Sequence, residues 1–250
     1  MDTRKVINHI VGWLSSYVEN KAPNNQTFVI GISGGIDSSL TSTLCAMTGK
    51  KTVVIMMPLH SSKMSLSKGH ANFLSKQFDN VEVLEINLDE PFDIFKRICD
   101  AKKLSSDLGF ANSKSRFRML LLYQAAASYS GLVVGTGNKV EDFGVGFYTK
   151  YGDGGVDIAP IADLSKTEVS DLAKELNINS AIIEAPPSDG LWSDNRTDEK
   201  QLGLSYKEIE EAMVNDKSEN REKYLSIRSK NLHKMEPIPV CYIDDKIKNS

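Results

Sequence analysis

Thr27-Phe28-Val29-Ile30-Gly31-Ile32-Ser33-Gly34-Gly35-Ile36-Asp37-Ser38-Ser39 decides how the rest of the chain is read. Thr27 to Ile32 is apolar and rich in β-branched residues, the pattern of a strand buried on both faces. A glycine-rich turn follows, and a helix is expected from Ile36 to Met47. In such a turn, Gly34 and Gly35 let the backbone come close to a phosphate. The amides of the turn and of the first helical turn converge there, and the helix dipole adds positive potential. Ser33, Ser38 and Ser39 supply hydroxyls. Asp37 would repel a bare phosphate, but a bridging Mg²⁺ reverses that sign, so Asp37 reads as a metal ligand. The plainer alternative is a turn with a capping Asp and Ser. At average composition, S-G-G-x-D-S occurs in a chain of this length with a probability of order 10⁻³ or less. The stretch is not a Walker A loop, because no Gly-Lys-Ser/Thr follows. Gly135-Thr136-Gly137 is not a dinucleotide fingerprint, because position 140 is Val.

Outward from this stretch, strands and helices alternate. Residues 2–20 read as a helix with Val6, Ile10, Leu14 and Tyr17 on one stripe. Further strands are expected at Thr52–Met57, Val81–Asn87 and Gly131–Gly135. Helices are expected at 67–78, 91–103 and 113–130. The alternation implies βαβ units, hence a doubly wound, mainly parallel sheet with helices on both faces. Ligands in such sheets sit at the carboxyl ends of the strands, near the switch point. The glycine-rich region from Asn138 to Ile158 reads as a loop that orders on a ligand. Helices follow at 166–176, 205–214 and 218–231, separated by a loop over 188–200 and ended by an extended tail. No repeat or linker divides the chain, so residues 1–250 are expected to form a single domain.

The 250 residues include 30 basic and 33 acidic side chains, for a net charge of −3. That balance argues against nucleic-acid binding, which needs a strong basic field. No apolar run reaches the ~20 residues of a membrane span. The N-terminus lacks a signal-peptide apolar block. A cytoplasmic location without membrane attachment is therefore expected. Cys45, Cys99 and Cys241 form neither a CxxC pair nor an even framework.

The stretch from Ser33 to Ser39 resembles the pyrophosphate loop of the ATP pyrophosphatase group, whose members adenylate a substrate and release pyrophosphate. Further segments resemble NAD synthetase. They are Asn112 to Met119, Gly135 to Glu141, Thr149-Lys-Tyr-Gly-Asp-Gly-Gly-Val-Asp157-Ile158, Pro187-Ser188, Leu191-Trp192 and His233-Lys234. The resemblance covers essentially the whole chain. It implies the adenine nucleotide alpha-hydrolase-like fold. It also implies the reaction of deamido-NAD⁺, ATP and NH₃ to NAD⁺, AMP and pyrophosphate through an NAD-adenylate, the last step of NAD biosynthesis.

The resemblance also implies roles, residue by residue. Gly31, Ile32, Ser33, Gly34, Gly35, Ile36, Asp37 and Ser38 would hold ATP, the co-substrate, together with Thr136, Lys166 and Ser188. Asp37 and Glu141 would ligate Mg²⁺, and with Lys166 they form the expected catalytic set. Arg116, Lys150, Asp157, His233 and Lys234 would contact deamido-NAD⁺. On spacing alone, Glu141 is equally a solvated acid at a helix start, and Thr136 is equally a turn or helix cap. A lysine at a helix N-terminus is poorly matched to the dipole, which favours a phosphate partner for Lys166. Arg118 points elsewhere on its helix than Arg116 and suits a surface ion pair better.

The loop begins at residue 33 and no Cys opens the chain, so free ammonia is the expected nitrogen source. A homodimer is expected from the family, with residues 6–18 or 119–127 as either interface or core. Two readings compete. One is another adenylating pyrophosphatase, such as a tRNA-modifying enzyme or a GMP synthetase subunit. The other is a non-catalytic nucleotide-binding module, which would need neither the paired acids nor the Lys150 loop.

Overall fold

The computed structural model of the chain describes residues 1–60, 64–188, 190–192, 194 and 196–248. Four strands form one sheet: β1 (Thr27–Gly31), β2 (Thr52–Met56), β3 (Val81–Glu85) and β4 (Gly131–Val133). All are parallel, in the order β3-β2-β1-β4. Phe28 pairs with Thr52 on one side of β1 and with Leu132 on the other. The chain leaves β1 toward β2 and β3 and later returns to the opposite edge. The switch point therefore lies between the carboxyl ends of β1 and β4, where a crevice is expected.

Alternation along the strands feeds two cores. Phe28, Ile30, Val54 and Met56 face α1 (Thr3–Asn20), α2 (Ile36–Met47), α3 (Ser65–Gln77) and α6 (Lys166–Glu175). Val29, Val53, Ile55 and Val133 face α4 (Asp89–Ala101) and α5 (Asp107–Tyr129). The doubly wound arrangement expected from the sequence is the one observed. The stripe on α1 is core, since Ile7, Ile10, Leu14 and Val18 are buried. Ala125 and Ala126 of α5 are also buried. α5 starts six residues before the expected position because Ser106 caps it, accepting from the Gly109 amide.

A third cluster lies beyond β4. It joins α8 (Asp198–Leu202), α9 (Tyr206–Val214) and α10 (Arg221–Met235) to a π-helical turn at Lys139–Val145. Short helices α7 (Ser180–Ile183) and α11 (Asp245–Lys248) complete the chain.

The π-helical turn corrects the expectation of a loop from 138 to 158. Asn138 caps it, accepting from the Val140 and Glu141 amides. Gly146 closes it at φ +67°, a conformation that favours glycine. α10 holds the far end. Arg228 donates to the Phe143 and Gly144 carbonyls, Asn231 to that of Val145, and Lys234 to those of Gly146 and Tyr148. The segment that follows returns to the sheet, where Val134 bridges Ile158.

Candidate active site

A cleft of about 1080 Å³ opens at the switch point. Ligand pockets usually span roughly 300–1,000 Å³, so there is room for more than one small ligand. Its floor is the turn between β1 and α2. Gly34 adopts φ +86°, and a Cβ there would lie 2.8 Å from the Ser67 amide nitrogen. Only glycine fits. The Ser33 hydroxyl accepts from the Gly35 amide at 3.1 Å, and the Ser38 hydroxyl donates to the Gly35 carbonyl at 3.0 Å. The Ser33 and Ser38 hydroxyls lie 3.1 Å apart. Gly35, the N-cap of α2, supplies no side-chain acceptor. The first amides of α2 thus have no side-chain cap, and the dipole suits that end to an anion.

Three charged side chains from distant parts of the chain meet beside the turn. Lys166, the first residue of α6, reaches Asp37 Oδ2 at 2.5 Å and Glu141 Oε1 at 2.9 Å. The α6 terminus is fixed by a capping box between Ser165 and Glu168. Buried Asn138 donates to Asp37 Oδ1 at 3.3 Å while its own oxygen caps the turn that carries Glu141. The Tyr206 hydroxyl donates to Glu141 Oε1 at 2.5 Å and lies 3.1 Å from Asp198 Oδ2.

Burial opposes every charge in this group. For Lys166, Glu141 and Asp37 outweigh it and hold the ammonium above its usual range. For Glu141, Lys166 and the Tyr206 hydroxyl outweigh it, and the carboxyl stays below its usual value. For Asp37, burial wins and the carboxyl is pushed up. The Tyr206 phenol is also pushed up, by burial and then by Glu141 and Asp198, and so remains a donor.

Gly31, Ile32, Ser33, Gly34, Gly35, Ile36, Asp37, Ser38, Thr136, Glu141, Lys166 and Ser188 all line the cleft, as do Arg116, Lys150, His233 and Lys234. Their states differ. Arg116 is exposed and donates to the Lys150 carbonyl at 3.3 Å. Lys150 Nζ donates to the His233 carbonyl at 3.2 Å. The Lys234 ammonium is held by two backbone carbonyls, and burial lowers its pKa. Ser188 donates to the Arg196 carbonyl at 3.0 Å.

Asp157 is not brought into the cleft lining. It accepts from the Val133 amide at 2.8 Å and the Tyr123 hydroxyl at 3.1 Å, so its carboxylate braces the end of β4. Arg118 departs from the surface role expected for it. It lines the cleft and donates to the Met57 carbonyl.

Sequence reasoning assigned no role to Asn138, Tyr206, Asp198, Asp142 or Asp153. The cap-forming Asn immediately before the helical turn was the one available signal. Asp142 sits against Gly137, with no hydrogen bond or ion pair to its carboxylate among the described residues. Burial, then Glu141, Asp153 and Asp37, push it well above the usual carboxylate range. Asp153 accepts from the Ser115 hydroxyl and the Thr149 amide.

Among the described residues, no group of three or more His, Cys, Asp or Glu is arranged to hold a metal. The donor set still suits Mg²⁺, which is commonly held by one or two carboxylates plus substrate phosphates. Asp37 and Glu141, joined through one Lys166 nitrogen beside an anion cradle, are such a pair.

A parallel sheet with this switch point, phosphate cradle and acid pair defines a nucleotide-binding α/β enzyme of the adenylating kind. The chain belongs to the NAD synthase family, whose model matches residues 6–248. The NH(3)-dependent NAD(+) synthetase of Archaeoglobus fulgidus is 35% identical, over 98% of this chain and 99% of that relative. Two solved structures are similar over 97% of this chain and 100% of their own. One is NMN synthetase from Francisella tularensis, at TM-score 0.87 and 28% identity. The other is NH3-dependent NAD synthetase from Campylobacter jejuni, at TM-score 0.77 and 27% identity.

Proposed function

We propose that the chain is an ammonia-dependent NAD synthetase. It amidates deamido-NAD⁺ with ammonia at the expense of ATP and releases AMP and pyrophosphate. The meeting of Asp37, Glu141 and Lys166 beside the phosphate cradle carries this reading, on the background of the family. A carboxylate resists ammonia because it is anionic and lacks a leaving group. Adenylation removes both obstacles. The nicotinate oxygen bonds to the α-phosphorus, pyrophosphate leaves, and ammonia then attacks the mixed anhydride and expels AMP.

The chain's residues divide this work. The α2 amides and the hydroxyls of Ser33 and Ser38 bind and orient the polyphosphate. Lys166 neutralises charge as the two anions approach. Thr136 and Ser188 complete the ATP side. Arg116, Lys150, His233 and Lys234 face the deamido-NAD⁺ side, with Asp157 supporting it through β4. Asp37 and Glu141 would hold Mg²⁺, which supplies electrostatic stabilisation of the transferring phosphoryl group when bound.

The proposal extends to one functional domain over residues 1–250, a homodimer and a cytoplasmic location. Among the described residues no helix is long and apolar enough to cross a membrane. The charge balance also supports the absence of a nucleic-acid partner.

The likeness to NMN synthetase supports a second reading, in which the carboxylate acceptor is the mononucleotide. Pyridine ring, ribose and first phosphate are common to both acceptors, and only the distal nucleotide differs. One assay separates them: NAD⁺, NMN and AMP are measured from ATP, Mg²⁺ and ammonium with either acceptor, with Asp37→Ala in parallel. NAD⁺ and AMP formed one for one, and lost roughly 10²–10³-fold in Asp37→Ala, are the expected result. Preferential turnover of the mononucleotide would reassign the acceptor. AMP formation with neither would overturn the reaction.

A further inference from the structure

The Lys166 ammonium stands where a cation shared by Asp37 and Glu141 would stand. Its nitrogen lies 2.5 Å from one carboxylate oxygen and 2.9 Å from the other, and it also sits 4.9 Å above the Tyr206 ring. All three charged side chains are largely screened from solvent, with 13% exposure for Lys166 and 17% for each acid. Mg²⁺ binds oxygen at about 2.0–2.1 Å and gives up its waters reluctantly. Metal and ammonium cannot share this seat. For the metal to enter, the lysine must leave and the two carboxylates must close by several tenths of an ångström.

A phosphate in the same cleft gives the lysine a new partner. Its carboxylate partners are buried with it, and an ammonium withdrawn from them without a new anion would be left unpaired. The cradle that would hold a polyphosphate lines the same cleft as Lys166.

We infer that Lys166 is the resident cation of the Asp37–Glu141 seat and makes metal loading conditional on nucleotide. Lys166 neutralises the acids in the free enzyme. A triphosphate in the cradle draws it away, and the divalent ion takes its place. Metal and ATP then enter as a coupled pair, each raising the affinity of the other by the same factor. This rests on the reading of Asp37 and Glu141 as the metal ligands.

Mn²⁺ binding to the full chain, followed by the electron spin resonance of the free ion and measured against a protein-free titration that gives the Mn²⁺ held by ATP itself, tests it without reference to activity. The wild type is expected to bind Mn²⁺ weakly alone and at least tenfold more tightly with ATP. Lys166→Gln is expected to bind Mn²⁺ alone at least tenfold more tightly than the wild type. Lys166→Arg, which keeps a cation, should stay weak. The gain should vanish when Asp37→Asn is added to Lys166→Gln.

If Lys166→Gln binds Mn²⁺ no better than the wild type while Asp37→Asn still abolishes ATP-dependent binding, the resident-cation role is wrong and the metal seat stands. If Asp37→Asn leaves ATP-dependent binding intact, the metal reading itself fails and the inference falls with it. Should the Gln variant not fold, the wild type decides by its melting temperature. Millimolar Mn²⁺ alone is expected to leave it unchanged, and an Asp37-dependent rise would overturn the proposal.

Discussion

His70 is a buried imidazole with no part in the chemistry, yet it secures the helix that forms the floor of the site. Its Nε2 lies 2.9 Å from the Ser42 hydroxyl of α2, and its ring stacks on Phe73. Burial lowers its pKa from 6.5 to about 4, against a weaker opposing hydrogen bond to the Ser39 backbone. Between these values the unfolded chain takes up a proton that the native chain refuses. The stabilisation is therefore full above about pH 6.5 and is lost as the pH falls toward 4. At 1.36 kcal/mol per pH unit the loss is about 3 kcal/mol. Urea unfolding of the wild type and His70→Gln at pH 7 and pH 4.5 checks this. The wild type should lose more stability than the variant, and equal losses would remove His70 as the cause. Among the residues that meet at the site, Asp37 was legible because its motif is local. Tyr206 was not, because a tyrosine at the start of an ordinary amphipathic helix carries no mark of a carboxylate 65 positions away.

At the scale of the element, α6 shows how a short local signal positions a functional group. Ser165, immediately before Lys166, and Glu168, two residues after it, form a reciprocal capping box. Losing such a cap costs about 1 kcal/mol. Ser165→Ala is expected to lower the melting temperature by roughly 2–4 °C. It should also weaken ATP binding severalfold, because Lys166 loses its fixed origin. Calorimetry and equilibrium titration check the two effects, and a drop in melting temperature with unchanged ATP affinity would show that the cap does not position Lys166. Both Ser-x-x-Glu boxes, at 165–168 and 205–208, are readable in the sequence and are formed. The turn at 139–145 was not readable. Gly144 and Gly146 suggest a loop, and the wide π spacing leaves no 3.6-residue pattern. Its last carbonyls are satisfied by Arg228, Asn231 and Lys234, some 85 residues further on. Only tertiary packing makes it a helix.

For the whole molecule, strand order does what no single motif does. Placing β4 beside β1 brings residues 37, 141 and 166 to one spot, and alternation in the sequence was enough to expect a parallel sheet with its site at the switch point. The surface that would join two copies was not legible, because apolar residues on a helix mark core and interface alike. With α1 and Ala125–Ala126 accounted for by the core, apolar side chains remain exposed on α4, α5 and the turn between them. Ile94, Ile98, Leu104, Leu108 and Leu120 are each 44–67% exposed. The proposed homodimer is expected to cover side chains of this group. A stable dimer needs about 800 Å² per partner with an apolar centre, and in the expected dimer these side chains contribute to that centre. Sedimentation equilibrium at micromolar concentration should find the wild type dimeric. Ile98→Glu with Leu120→Glu should be monomeric with an unchanged far-ultraviolet spectrum, since neither side chain is buried in the protomer. A monomeric wild type would remove the dimer, and a double variant that still dimerises would move the interface to another face.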